Sequence, residues 1–358
     1  MAYSSIVKPN QFFNTVLYTG TDASINVTGV GFQPDLVWIK CRSNGNNAAF
    51  NHNMNNSLAG VNKNLYPNDP SQELTNNSSG RVSAFGTDGF TATAGDQTSG
   101  VARTYVAWNW KTGTTGSGST TGSGSSKSYT YSVNTTAGIS IMRYEGNSTA
   151  GHQVPHHLGV APKVVFNKET GGSSWWFTFV GAMEDNAKVL FLNDTSAQSN
   201  QAAAFNSTAP SSTAVTYGTD HDLNNNGQYY QAICFAEKKG YSKFGKYTGD
   251  GNTNGPFVYT GFKPALVIIK KYSGTENWAM FDNVRDTHNV NNKLLYGDQN
   301  YAEYTGVSAR NDFLSNGFKI RTSDNKENGS GGTYAFFAFA ENPLVANSGT
   351  DGVPTTGR

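Results

Sequence analysis

Two places in this chain set aromatic side chains side by side: Trp175-Trp176 and Tyr229-Tyr230. Neighbours along a strand point to opposite faces, so one ring of each pair can leave the core that its neighbour enters. An exposed indole or phenol ring stacks on the face of a sugar or anchors a protein interface. The competing reading is a ring that packs against an adjoining domain, which the same amphipathic side chains also do. All four residues are candidates for binding a glycan or a protein partner.

Other chemistry-bearing groups are less organised. His152, His156 and His157 form the only histidine cluster, but the nearest acids, Glu145 and Glu169, show no metal-ligand spacing with them. Asp250 to Gly255 and Asp222 to Gly227 each echo the opening of a calcium loop. The bidentate Glu that should close it is replaced by Gly261 and by Ile233, so Asx-rich turns are expected. Glycoside hydrolysis asks for two carboxylates flanking the scissile bond. Glu184, Asp185, Asp282 and Asp286 are available, yet none recurs at a common position in the repeats described next. Asp282 and Arg285 are spaced to pair on one turn, a structural role. There is no Gly-x-Ser-x-Gly elbow, no His-Glu-x-x-His and no phosphate loop. The expectation is no enzyme, no catalytic residue, no cofactor and no metal.

The elements that must position these residues are β-rich. Only 14% of the chain is charged, while 13% is aromatic and 40 residues are glycine, a mixture that suits short strands and tight turns rather than helices or disorder. The net charge of +1 has no basic cluster beyond Lys238-Lys239 and Lys270-Lys271, which argues against nucleic acid. No apolar run approaches the roughly 18 residues of a membrane span, and Met1 to Lys8 does not read as a secretion signal. Cys41 and Cys234 fall in non-matching positions and read as buried thiols made in a reducing cytosol.

One pattern occurs three times. Gly31-Phe32-Gln33-Pro34 leads into Asp35-Leu36-Val37-Trp38-Ile39-Lys40, Gly159-Val160-Ala161-Pro162 into Lys163-Val164-Val165-Phe166-Asn167-Lys168, and Gly261-Phe262-Lys263-Pro264 into Ala265-Leu266-Val267-Ile268-Ile269-Lys270. The proline marks a strand start, and the apolar run is what a strand covered on both faces requires. Upstream stands Tyr18-Thr19-Gly20, Tyr144-Glu145-Gly146 or Tyr247-Thr248-Gly249. Downstream each copy ends on an aromatic strand, beginning at Tyr105, Tyr229 and Tyr334. Trp176 and Trp278 share an offset of 14 residues from their prolines, where copy one has Ala48.

These signals predict an all-β chain of three tandem β-sandwich repeats, jelly-roll or lectin-like, at 1–111, 128–240 and 241–346. Residues 112–127 are almost wholly Gly, Ser and Thr, with no side chain to build a core, and read as a flexible linker tethering the first repeat. Repeats two and three follow directly on one another, and 347–358 reads as a flexible tail.

The third copy carries Tyr259-Thr260-Gly261-Phe262-Lys263-Pro264, then Asn277-Trp278-Ala279-Met280-Phe281-Asp282, and closes on Tyr334-Ala335-Phe336-Phe337-Ala338-Phe339-Ala340-Glu341-Asn342-Pro343. Together these resemble a repeated β-rich domain of tailed-bacteriophage virion proteins, structural or tail-fibre-like. Copy one, ending Tyr105-Val106-Ala107-Trp108-Asn109-Trp110, resembles another branch. Copy two departs most, with Val180 where the Trp-x-x-Phe-Asp pattern has Asp. The resemblance implies a virion component made in the host cytoplasm. Its expected partners are capsid or tail proteins and a host-surface glycan or receptor, without nucleic acid or membrane insertion. It implies a tail-fibre or appendage role in host attachment, with capsid decoration as the alternative and polysaccharide depolymerase as a distant third. A homotrimer is the oligomer expected from that context. No catalytic residue carries over.

Overall fold

A computed structural model describes residues 4, 6–43, 49–305, 310–348 and 351–354. The described chain is nearly all β, in antiparallel sheets. One strand order recurs in three lobes. In the first, Phe13–Thr19 pairs with Thr104–Trp110, which pairs with Leu36–Cys41, which pairs with Asn53–Asn56. In the second the same places are taken by Ile139–Glu145, Tyr229–Phe235, Val164–Glu169 and Phe177–Val180. In the third they are Ser242–Thr248, Thr333–Pro343, Phe262–Lys271 and Trp278–Asp282. The glycine opening each Gly-x-x-Pro turn has φ of 85° (Gly31), 72° (Gly159) or 82° (Gly261), a conformation that strains any residue with a Cβ.

Each large sheet carries a small sheet over one face. The small sheets are built on Ile25–Val27 with Gly89–Ala92, on His152–Pro155 with Ala214–Tyr217, and on Phe257–Tyr259 with Gly317–Ile320. Between large and small sheet lies a core private to each lobe. The opposite faces of the three large sheets meet one another in a fourth core that draws on all three lobes. The last strand of lobe three shows the division. Ala335, Phe337 and Phe339 enter the common core, while Tyr334, Phe336 and Ala338 enter the lobe's own. This is the period of two that a strand covered on both faces imposes.

Pairing registers place Trp110, Phe235 and Phe339 at one equivalent position, opposite Leu36, Val164 and Leu266. Their rings touch each other, with centroids 6.2, 5.5 and 5.5 Å apart. The space left between the sheets is about 10 Å³ and wholly apolar, so the centre of the molecule is packed rather than a pore.

The junctions between lobes repeat bond for bond. The Trp176 indole donates to the Tyr66 carbonyl at 2.8 Å, and the Trp278 indole to the Phe191 carbonyl at 2.9 Å. Register places His52, not Ala48, at the matching position of lobe one; Ala48 itself lies outside the described residues. The His52 Nε2 lies 2.9 Å from the Tyr296 carbonyl, while its Nδ1 accepts from the Trp38 indole at 2.8 Å. That acceptor role at Nδ1 puts the proton on Nε2, which therefore donates to lobe three. Two backbone bonds flank each ring: Ser174 N–H to Pro70 and Glu73 N–H to Thr170, Glu276 N–H to Thr195 and Gln198 N–H to Tyr272, Phe50 N–H to Asn300 and Glu303 N–H to Arg42. The ring donors run from lobe two to one, three to two and one to three, so a head-to-tail contact closes on itself.

Two expectations about connections are corrected. The 112–127 segment is not a free tether: Thr114–Ser119 pairs in register with Ser128–Asn134, and Thr121–Gly122 pairs with His152–Pro155. It needs no core of its own because it pairs as an edge strand that stays largely exposed, with neighbouring tyrosine rings lying against its glycines. A Cβ at Gly116 would lie 2.5 Å from the Tyr131 hydroxyl, and one at Gly118 would lie 2.9 Å from that of Tyr129. Lobe one is held in the common core like the others. In the tail, Val345–Ser348 pairs with Asp351–Pro354 as a hairpin, and 355–358 lie outside the described residues.

Replacing Trp176 by Phe removes the inter-lobe donor to the Tyr66 carbonyl and leaves it only the Asp69 N–H at 3.2 Å. The expected loss is about 0.5–1.5 kcal/mol in chemical denaturation for the hydrogen bond, with the midpoint lowered. Burial, and then the nearby Lys40 charge, hold His52 well below the ordinary histidine range. A depressed histidine contributes stability above the unfolded value of about 6.5 that is lost as pH falls below it, by up to about 1.4 kcal/mol per pH unit. Thermal melts from pH 7 to pH 5 should show this fall, and His52→Gln should flatten it by one proton's share.

Candidate functional site

The four candidate aromatics divide by lobe equivalence. Tyr230 matches Tyr105 and Tyr334, each facing the equivalent strand residues Tyr144, Tyr18 and Tyr247. All three make the same corner. Tyr230 donates to the His221 carbonyl and accepts from Asn225 N–H. Tyr105 does so with Asp96 and Gly100, and Tyr334 with Asn325 and Gly329. This hydroxyl-to-backbone tie fixes the loop before the last strand. Tyr230 and Trp176 are fully buried, so as binding candidates both are corrected: their rings hold the fold.

Trp175 and Tyr229 behave differently. Asn51 and Asn277 stand at the position of Trp175, and Thr104 and Thr333 at that of Tyr229, so the lobe fold requires neither ring. Trp175 is 45% exposed and Tyr229 56%. Both lie at the same end of the lobe-two sheet, where Glu169 pairs with Tyr230. The Trp175 ring leans on Phe191 with centroids 5.3 Å apart.

Tyr229 borders an open groove of about 540 Å³ lined also by Ser117, Ser119, Ser128, Thr130 and Arg143. Cross-strand register sets Ser117, Thr130 and Arg143 in one row and Ser119, Ser128, Glu145 and Tyr229 in the next. The floor is thus a pavement of hydroxyls with one aromatic corner. Of its two outer strands, Thr114–Ser119 lies within the Gly/Ser/Thr segment and Ser128–Asn134 follows it, and lobes one and three have no counterpart to them among the described residues. Arg143 is held by Glu73 of lobe one, and Lys127 by Glu145 at 2.6 Å, so the charges beside the groove are paired. A surface of this kind can stack one sugar ring and exchange hydrogen bonds with its hydroxyls; it offers no nucleophile–base pair.

The remaining candidates serve structure. Asp282 and Arg285 form a fully buried ion pair that also takes in Glu303, and the Trp108 indole of lobe one donates to Asp282 at 3.1 Å. Glu184 pairs with Lys246 on the surface. His152 binds Asn224, His156 the Ser211 carbonyl, and His157 stacks on Tyr131 at 3.7 Å, so the three rings serve separate contacts. Among the described residues no group of three His, Cys, Asp or Glu could hold a metal. Asp250 and Asn252 accept from backbone N–H groups two residues on, as Asx turns do. The lysine closing each repeat motif is buried and held by backbone oxygens, and burial lowers Lys40, Lys168 and Lys270 alike to about 8. Cys41 and Cys234 are buried and free.

Sequence reasoning missed one exposed pair, Phe257 and Tyr259, on the outer face of the lobe-three small sheet. The alternation Phe257-Val258-Tyr259 was the available signal, with Val258 facing inward.

Three like lobes closed on a common core, with rings exposed beyond what the fold needs, define a single-chain, three-lobed all-β protein. The chain belongs to the family described as a domain of unknown function, DUF7483, which matches residues 8–343. That span takes in all three lobes, so the family's unit is the closed set rather than one lobe. Neither the curated proteins nor the solved structures give a match.

Trp175→Ala and Tyr229→Ala should each change stability by no more than about 0.5 kcal/mol, as surface substitutions do. Tyr230→Phe should cost about 1–3 kcal/mol by leaving backbone groups unpaired. Urea denaturation of the three variants checks the contrast.

Proposed function

We propose that this chain is a non-enzymatic structural protein of a bacteriophage virion, a tail-fibre or appendage component that contributes to host-surface attachment by holding a glycan. The observation that carries the reading is the lobe-two groove, where Tyr229 stands beside a pavement of serine and threonine hydroxyls. A ring offers its negative face to the C–H face of a sugar, and the hydroxyls exchange hydrogen bonds with the sugar's own. Equivalence between lobes supports a binding role, since threonine suffices at this position in the other two. The virion assignment rests on the resemblance of the repeat motifs to tailed-phage virion domains.

Capsid decoration is the second reading, and the closed cyclic order of the lobes favours it. A single chain with three like faces suits a three-fold or pseudo-three-fold position, on a capsid as on a trimeric fibre. Cryo-electron microscopy of intact virions separates the two: density at the end of a tail fibre supports attachment, and density over capsid faces supports decoration.

For attachment itself, the test is retention of the protein on immobilised host surface polysaccharide. Tyr229→Ala should weaken retention at least tenfold while the melting temperature stays within a few degrees. Equal retention of the variant would remove the groove from the account.

A further inference from the structure

We infer that lobe three carries a second, separate carbohydrate-stacking platform, formed by Phe257 and Tyr259 on the outer face of its small sheet. The inference does not depend on the lobe-two groove. Strand Phe257–Tyr259 shows an exposed, buried, exposed pattern, with Phe257 44% and Tyr259 52% exposed around a buried Val258. Residues two apart on a strand share a face, with their Cα atoms roughly 7 Å apart along it. Two rings exposed on one face can contact successive sugars of an extended glycan.

Lobe one shows that the fold does not ask for these rings. Register equates Val27 with Val258, each opposite the phenylalanine that follows a turn glycine, Phe90 or Phe318. Asn26 and Thr28 therefore occupy the positions of Phe257 and Tyr259, and both are exposed there. Lobe one builds the same strand without the aromatics.

The surroundings are arranged for a sugar. Two cross-strand rows make the face: Phe257 with Lys319 and Asp312, and Tyr259 with Gly317 and Leu314. A Cβ at Gly317 would collide with the Val258 carbonyl, as one at Gly89 would with that of Val27, so the glycine serves the strand pairing; the Phe257 ring lies against it as well. Polar groups rim the rings on one side. Asp312 pairs with Arg321 at 3.2 Å, Arg321 reaches Asn254 at 3.3 Å, and the Lys319 ammonium donates to the Gly255 carbonyl. The layout is apolar faces for C–H groups beside donors and acceptors for hydroxyls. A stable protein partner would need about 800 Å² on this side. Two half-exposed rings offer on the order of 200 Å².

The test compares the full-length protein with a Phe257→Asn, Tyr259→Thr double variant, which installs the residues lobe one already accommodates, and with Tyr229→Ala. Titration calorimetry with cellohexaose and with chitohexaose up to millimolar concentration reads binding, and a thermal melt verifies folding. The expected result is binding of at least one hexasaccharide, weakened at least tenfold in the double variant, with any share of the lobe-two groove read separately from Tyr229→Ala. Absence of binding to both sugars overturns the platform. Binding that survives the double variant but is lost in Tyr229→Ala also overturns it, and assigns the sugar to the groove alone. Loss of virion incorporation in a folded double variant that never bound sugar overturns it in favour of a protein contact.

Discussion

The structure depends on one junction made three times: a buried ring N–H on one lobe donating to the carbonyl of an aromatic residue on the next. Trp176 on Tyr66, Trp278 on Phe191 and His52 on Tyr296 point the same way around the molecule. A head-to-tail contact of this kind yields an open filament unless its rotation closes, and here it closes at three. Closure lets the central strands of each large sheet be covered on both faces, which is why Leu36–Cys41, Val164–Glu169 and Phe262–Lys271 are buried along nearly their whole length.

Because the lobes are equivalent residue by residue, they act as internal controls on one another. Positions filled alike in all three, such as Tyr105, Tyr230 and Tyr334 or the buried Lys40, Lys168 and Lys270, belong to the shared fold. Positions where one lobe alone carries a large exposed ring are not required by it. Trp175 and Tyr229 in lobe two, and Phe257 and Tyr259 in lobe three, are of the second kind. The three-fold frame is constant, and its decoration differs from lobe to lobe.

Much of the lobe was legible in the sequence because the signals are local. The positive-φ glycine, the strand-starting proline and the period-two apolar run each follow from one segment's own chemistry. What depended on partners was not legible. The Gly/Ser/Thr segment at 112–127 reads as a linker because its own side chains bury nothing, yet Thr114–Ser119 pairs with the neighbouring strand, whose Tyr129 and Tyr131 rings lie against its glycines. Counting from the proline pointed to Ala48, because lobe one has four more residues before the next strand; only the sheet register finds His52. For the adjacent aromatics, alternation told that one ring of each pair could leave the core. Which one leaves was set by the junction for Trp176 and by the tyrosine corner for Tyr230. The convergence of three sheets on Trp110, Phe235 and Phe339 is a long-range fact that no single repeat records.

Differential scanning calorimetry of the intact chain tests the closed arrangement most directly. Lobes that share a core and three matched junctions should unfold together, in one transition whose calorimetric and van't Hoff enthalpies agree. Two or three resolved transitions, or a calorimetric enthalpy two- to threefold above the van't Hoff value, would mean that the lobes melt independently and that the common core does not bind them into one unit.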